Sequence, residues 1–263
     1  MRPSVSLAHN SSEGAVEVDP TKALREYWDR DSATYDRWPE HGAWSQVERA
    51  AWAATLAQHL PKRGAKVLDV GAGTGFLSLV AARQGYEVTA LDVSPGMLSR
   101  LEETAAREDL AIEVVCSSAD EPPSGPFDAV MERLLLWTLP DPQRALEAWH
   151  AVVPDGPLLA FEAFWSGRDY REGVLRRGRK LLRKARRLPP EHHAPYPGDL
   201  LAQLPHVASS SPEALTALIQ ESSWRTPKLF RLRDVEWSRE LVLPPVDRLL
   251  GVTPEYVLTA SSS

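Results

Sequence analysis

Between Lys66 and Val93 the chain reads KVLDVGAGTGFLSLVAARQGYEVTALDV, and its acids and glycines carry a spacing that could do chemistry. Asp69 is followed by Gly71, Ala72, Gly73 and Gly75, and Asp92 stands about 20 residues beyond the first glycine. Closely spaced glycines let a chain turn tightly and bring its backbone against a ligand. An acid at the end of the following strand can accept hydrogen bonds from both hydroxyls of a ribose. Together these residues make a site for an adenosine-bearing cofactor. Glu132, Glu162 and His41 are the groups best placed to take up a proton, with the phenols of Tyr27 and Tyr35 beside them in the N-terminal segment.

The elements that must hold these groups are legible as runs. Val67, Leu68 and Val70 form a short apolar strand. Phe76, Leu77, Leu79, Val80 and Ala81 recur at helical spacing up to Gly85, and Val88 to Val93 read as a buried second strand interrupted by Asp92. Ile112 to Cys116 is a third apolar run, and Phe127, Asp128, Ala129 and Val130 open a fourth. Glu132 is expected just beyond strand four, and Glu162 at the end of strand five. Both then lie at strand carboxyl ends, where open α/β sheets place ligands. Trp44 to Leu60 reads as an amphipathic helix ending before Pro61. After Pro212 the expected order is a helix over Glu213 to Trp224, a strand over Lys228 to Leu243, and a strand over Glu255 to Ala260 in a hairpin-like pair.

The glycine spacing separates two cofactor classes. A dinucleotide fingerprint sets its third glycine at position 76, so that a pyrophosphate rests on the helix N-terminus; here that position is Phe76 and the glycine is Gly75. The D-x-G-x-G-x-G pattern of Asp69, Gly71, Gly73 and Gly75 resembles motif I of the class I S-adenosylmethionine-dependent methyltransferases, in their small-molecule, natural-product branch. The F-D-x-V signature at Phe127 to Val130 and the segment from Glu132 to Glu162 extend the likeness to roughly residues 22 to 260. The resemblance implies an α/β, Rossmann-like, seven-stranded and mostly parallel sheet with helices on both faces. Its helical cap would come from the N-terminal segment and from an insertion after strand five. It also implies S-adenosyl-L-methionine as cofactor, contacted by Tyr35, Asp69, Gly71, Ala72, Gly73, Asp92, Val93, Met97, Ser118, Ala119 and Glu132. Catalytic roles would fall to Glu132, His41 and Tyr27. The chain departs from the family's pattern twice. The usual acid at the end of strand three is Ser118, with Asp120 two positions on, and the usual P-G-G turn is Pro154, Asp155, Gly156.

Composition bounds the rest. The chain has 263 residues, 43% of them hydrophobic, enough for one α/β domain with a cap. Residues 1–20 read as a flexible tail and 21–263 as a single domain: a helical lid over 21–60, the cofactor core over 61–164, a basic cap insertion over 165–211, and closing elements over 212–263. No secretory leader or bilayer-length apolar stretch is evident, so a cytoplasmic protein with no membrane partner is expected. The single cysteine, Cys116, reads as a small buried hydrophobe. A formal charge of −6 argues against a nucleic-acid partner. Oligomeric state, monomer or homodimer, is not legible.

Tyr27, Trp28, Tyr35 and Trp38 are open to two readings, helix packing or walls of a substrate chamber. From Gly173 to Leu188 there is no acid but eight cations, among them Arg177, Arg179, Lys180, Lys184 and Arg186, with Val174, Leu175, Leu181, Leu182, Ala185 and Leu188 on one stripe. A cap helix docked by that stripe, or a contact for an anionic partner, would account for it. His192 and His193 are adjacent, a poor spacing for one metal, and no metal is expected. The reading is methyl transfer to O, N or C of a small aromatic or heterocyclic secondary metabolite; an RNA methyltransferase and a non-catalytic cofactor-binding module are the alternatives.

Overall fold

The computed structural model describes residues 19–37, 41, 45–164, 170–186, 196–205 and 211–263. The apolar runs form β1 (Lys66–Val70), β2 (Glu87–Asp92), β3 (Ile112–Cys116), β4 (Ala129–Arg133) and β5 (Pro157–Ala163), joined by β6 (Arg225–Arg231) and β7 (Glu255–Ser261). They build one seven-stranded sheet in the order β3-β2-β1-β4-β5-β7-β6. The first five strands are parallel, and β7 runs antiparallel to both of its neighbours. The order turns back at β1, with β2 on one side and β4 on the other, so a crevice opens at their carboxyl ends.

The helices are α1 (Pro20–Asp31), α2 (Gln46–His59), α3 (Phe76–Arg83), α4 (Pro95–Arg107), α5 (Pro142–Val152), α6 (Tyr170–Ala185), α7 (Gly198–Leu201), α8 (Pro212–Gln220), α9 (Arg233–Val242) and α10 (Pro245–Leu250). Side chains that alternate along the strands feed two cores. Leu68, Val130 and Leu158 pack with Leu146 and Trp149 of α5 and Ile219 of α8, whereas Val67, Met131 and Phe161 pack with Trp52 of α2 and Val80 of α3. Ser45, Ser94, Asp141 and Ser211 cap α2, α4, α5 and α8, each accepting the backbone N–H three residues on. Among the described residues no helix is long and apolar enough to cross a membrane.

Three expectations are corrected. Lys228 to Leu243 is not one strand: β6 ends at Arg231 and α9 begins at Arg233. The inward face of α9 includes Glu236 and Ser238 beside Val235, so polar residues break up the apolar helical stripe that would have announced it. Hence β6 and β7 do pair, but across two helices rather than a hairpin. Cys116 is exposed, because β3 is the sheet's edge strand and the residue closes it. The helix expected over Glu213 to Trp224 ends at Gln220, and Trp224 is buried with its Nε1 donating to Leu146 O at 3.0 Å.

Candidate functional site

The glycine turn joins β1 to α3. Gly71, Gly73 and Gly75 hold φ of +67°, +55° and +91°, the left-handed region that glycine tolerates. A Cβ on Gly75 would stand 2.1 Å from Leu101 Cδ1, so α4 can pass against the turn only because that side chain is missing. Asp69 is buried at the end of β1, with Oδ2 accepting from Ser78 Oγ at 2.6 Å. Asp92, at the end of β2, accepts from Gly73 N and from Ser94 N, each at 2.8 Å. The expected ribose acid therefore also holds the glycine turn in shape.

Around these lie the other expected cofactor residues. Ala72 is buried and its N–H donates to Leu91 O at 3.0 Å. Val93 is half-buried after β2, and Met97 is buried in the first turn of α4. Ser118 donates to Asp120, which in turn pairs with Arg144 at 2.9 Å, while Ala119 O accepts from Trp149 Nε1 at 2.7 Å. Asp120 is thus engaged with its own neighbours at the end of β3.

The N-terminal segment closes on this frame through two acids that the sequence reading did not single out. Asp29 Oδ1 accepts from Ser94 Oγ at 2.6 Å and from Gly96 N at 2.9 Å, which sets a negative charge at the N-terminus of α4. A Cβ on Gly96 would lie 2.8 Å from Ser32 Oγ, so α1 sits against α4 at a glycine contact. Asp36 Oδ1 accepts from Thr74 Oγ1 at 2.7 Å and lays Tyr35 over the glycine turn. Tyr35 lines the cavity there, with Asp69, Gly71, Gly73 and Arg133. His41 is buried and stacked on Tyr35, ring centres 3.8 Å apart, and its Nδ1–H donates to Tyr35 O at 2.8 Å. Tyr27 does not line that cavity; it packs in α1 against Trp28 and Tyr196, at 5.0 and 4.5 Å. Burial pushes the phenols of Tyr27 and Tyr35 up to about 12. Trp38, His192 and His193 lie outside the described residues.

Glu132 lies inside β4, opposite Val70 and Ala160, rather than just beyond the strand. It is fully buried: Oε2 accepts from Leu135 N at 2.9 Å, and Oε1 has no hydrogen-bond partner among the described residues. Neither oxygen of buried Glu162 has one. Burial raises the Asp69 carboxyl to about 7, Asp92 to about 6 and Glu132 to about 8, and Glu162 well above its usual range. Backbone donors and Arg133 offset the shift at Glu132 only in part. Four acids thus gather at the carboxyl ends of β1, β2, β4 and β5, where burial favours their neutral forms and a cation brought among them would favour the ionised ones.

The basic helix α6 departs from expectation. Val174 and Leu181 of its apolar stripe are exposed, and the helix is tied down by cations: Arg179 Nη1 donates to Leu250 O at 2.7 Å, and Arg186 Nη1 bonds both oxygens of Asp247 at 2.9 and 2.7 Å. Leu250 offers its carbonyl from the carboxyl end of α10 and Asp247 its carboxylate from the first turn, so cations fasten α6 while Leu175 and Leu182 of its stripe are half-buried.

A mostly parallel seven-stranded sheet, with a glycine turn unsuited to pyrophosphate and an acid at the end of β2, is the architecture of the class I methyltransferases that use S-adenosylmethionine. Residues 68–161 match the family model described as a methyltransferase domain. Among curated proteins it is 38% identical over 109 residues to a ubiquinone biosynthesis O-methyltransferase of Xylella fastidiosa, covering 40% of this chain and 44% of that one. It is 34% identical over 152 residues to the protein of the same name from Azotobacter vinelandii, covering 56% and 61%. The chain thus spans about half the length of the curated relatives it matches. Its fold is like that of magnesium protoporphyrin IX methyltransferase from Synechocystis PCC 6803 with bound S-adenosylhomocysteine (16% identity, TM-score 0.57, 93% and 100% of the two chains covered). It is also like that of the [4+2]-cyclase SpnF (15% identity, TM-score 0.59, 90% and 94% covered). The residues present are compatible with the cofactor: Asp92 is a buried acid at the end of β2, and the cavity of the glycine turn is lined by both an acid, Asp69, and a cation, Arg133.

Proposed function

We propose that the protein methylates O, N or C of a small aromatic or heterocyclic molecule, with an aromatic hydroxyl as the first acceptor to test. The observation that carries this reading is Glu132, whose buried carboxyl keeps an unpartnered oxygen at the end of β4 beside a nucleoside-type site. The names of the curated relatives support oxygen as the acceptor. On this reading residues 21–263 act as one domain, with 21–60 and 165–211 covering the acceptor.

S-adenosylmethionine, when bound, supplies a methyl on a sulfonium that leaves readily. The protein therefore has mainly to align the acceptor in line at about 3 Å and to exclude water. Asp92 and the glycine turn orient the nucleoside end, and Tyr35, braced by His41 and by the Asp36–Thr74 bond, covers the cavity. Glu132 accepts the acceptor's proton through Oε1, a step that requires it ionised and that the cofactor's positive charge favours. Calorimetric titration tests the reading at its root: S-adenosylhomocysteine should bind more tightly than NAD, and the reverse order would end it. Labelled cofactor against phenols, indoles, amines and carboxylates then reads the acceptor class. Micromolar RNA binding with a steep salt slope would favour the RNA-modifying alternative.

A further inference from the structure

We propose that Glu162 is the proton partner of Glu132: the two buried carboxyls share one proton across the β4–β5 seam, and Glu162 thereby holds Glu132 in its ionised form. This rests on Glu132 as the group that takes the acceptor's proton, and adds the residue that readies it.

In the parallel ladder Glu132 stands opposite Ala160, and Glu162 follows two residues along β5. Val130, Leu158 and Ala160 pack in one core, so by alternation both glutamates lie on that same face. Strands about 4.8 Å apart and a two-residue step of about 6.6 Å set their backbones roughly 8 Å apart, with only the methyl of Ala160 beside them. Two glutamate side chains can close that gap. The chain leaves β4 through Leu134 at φ +60°, and Glu132 Oε2 closes the turn by accepting from Leu135 N at 2.9 Å. That bond fixes one oxygen and leaves Oε1 for a neighbour.

Among the described residues no donor reaches Oε1 of Glu132 or either oxygen of Glu162, although the first residue is fully buried and the second 4% exposed. The charged groups around Glu162 are Glu132 and Arg133 of β4 and Glu255 of β7, with the phenol of Tyr256 opposite it in the β5–β7 ladder. Arg133 stacks with Phe76 and Trp52, and Glu255 pairs with Arg239 and shares the face of Val257, so both belong to the other side of the sheet. Asp69, which also acts on Glu132, lies there too, opposite Met131. Of these charges Glu132 alone shares the face of Glu162, and burial and that neighbour both push the Glu162 carboxyl up.

Two anions so placed would repel each other without water between them. A neutral carboxyl is a donor, so a single proton on Glu162 satisfies an oxygen of each residue and leaves one charge, in a short charge-assisted bond. Glu132 Oε1 keeps a second lone pair for the acceptor. As the acceptor oxygen bonds the methyl carbon and the methyl's bond to sulfur breaks, the acceptor's proton passes to Glu132; the pair then holds two protons and loses one to water.

The pairing is read first in the ligand-free protein, from the pH dependence of urea-denaturation stability between about pH 5.5 and 8, which counts the protons retained on folding. Glu132→Gln, Glu162→Gln and the double variant should each lose about the same one proton relative to wild type, because in each single variant the new amide still donates to the remaining acid. Glu162→Leu, which removes the donor, should lose none, because Glu132 then keeps the proton itself. Single variants midway between wild type and the double variant, or a Glu162→Leu that loses a proton as Glu162→Gln does, would show two independent acids and overturn the pairing. Turnover reads the positioning role: the acidic limb of kcat/KM should stay within about half a pH unit in Glu162→Gln and rise by at least about one in Glu162→Leu. Identical limbs in all three proteins would overturn that role. If the proton counts hold while Glu132→Gln leaves kcat intact, the shared proton stands and the reading of Glu132 as the base fails.

Discussion

The molecule buries charge in two places and treats it in opposite ways. Glu48 of α2, Arg239 of α9 and Glu255 of β7 form an ion-paired cluster: Arg239 Nε reaches Glu48 Oε1 at 2.6 Å, Nη1 meets Glu255, and Arg133 adds a second cation. Burial alone would raise the Glu255 carboxyl, but Arg239 and Arg133 outweigh it and hold it below its usual range. Asp69, Asp92, Glu132 and Glu162 are buried as deeply, yet burial prevails and all four are raised. Desolvation is common to both, so compensation is what differs. The charges that join α2, α9 and β7 have counter-ions in contact, whereas for the four acids at the strand ends burial outweighs every nearby cation.

The sharpest way to break this contrast is to delete one partner from each cluster. Arg239→Met should cost about 3–5 kcal/mol of stability, read from urea denaturation, because two carboxylates lose their near cation. Glu162→Gln should leave the ligand-free protein as stable or more so; a comparable loss there would show that the two clusters do the same work. Next in size, Glu132→Gln should lower kcat by at least about 100-fold with cofactor affinity within a few-fold, as expected for loss of a general base by a near-isosteric change. A collapse of affinity instead would move Glu132 into the cofactor's own site. Asp92→Ala should weaken S-adenosylhomocysteine by about 1.5–3 kcal/mol, the range for charge-assisted hydrogen bonds; an unchanged dissociation constant would mean that the ribose lies elsewhere.

Acidity separates the clusters by sign. Glu132 is raised from 4.5 to about 8, so the folded state binds more protons than the unfolded one across that interval. Its effect is to lower stability as pH rises from about 4.5 to 8, with no further change above. Glu255, being lowered, contributes stability that is present above the usual carboxylate range and lost as pH falls through its own value. Thermal melts of ligand-free protein should therefore decline on the alkaline side, and the Glu132→Gln, Glu162→Gln double variant should flatten that limb while keeping the acid one. A cationic ligand should bind more tightly as pH rises toward 8. The smallest effect belongs to α6: Gln at Arg177, Lys180 and Lys184, all exposed, should leave turnover within about two-fold. A raised KM with strong salt dependence would bring that helix into the substrate site.

The strand core was legible because its apolar, β-branched runs end on glycine or acid, and β1 to β4 lie where those runs stand. The acids at the strand ends were legible by position, and their environment was not: nothing local marks Glu132 as lacking a partner for Oε1. The lid's fastening was hidden as well, since Asp29 meets Gly96 across 67 positions and Asp36 meets Thr74 across 38. Ser94-Pro95 is the one local sign that could have located the start of α4, as a cap followed by proline. Arg133 was passed over because a cation at the end of a buried strand reads as a surface residue until Phe76 and Glu255 are seen around it.

The order of strands also bears on how the chain assembles as it emerges from the ribosome. In the sheet β6 bonds only to β7, which follows it in sequence and lies between it and β5. Residues 225–231 therefore have no edge to join when they are first made, and the sheet up to β5 must wait with one flank open. When β7 slides into that gap it brings Glu255, the counter-charge of Arg239, so the same segment that finishes the backbone ladder also neutralises the interior. Chains truncated before Glu255 should expose the β5 edge and be captured by chaperones or proteases, whereas chains that include β7 should fold with that edge covered.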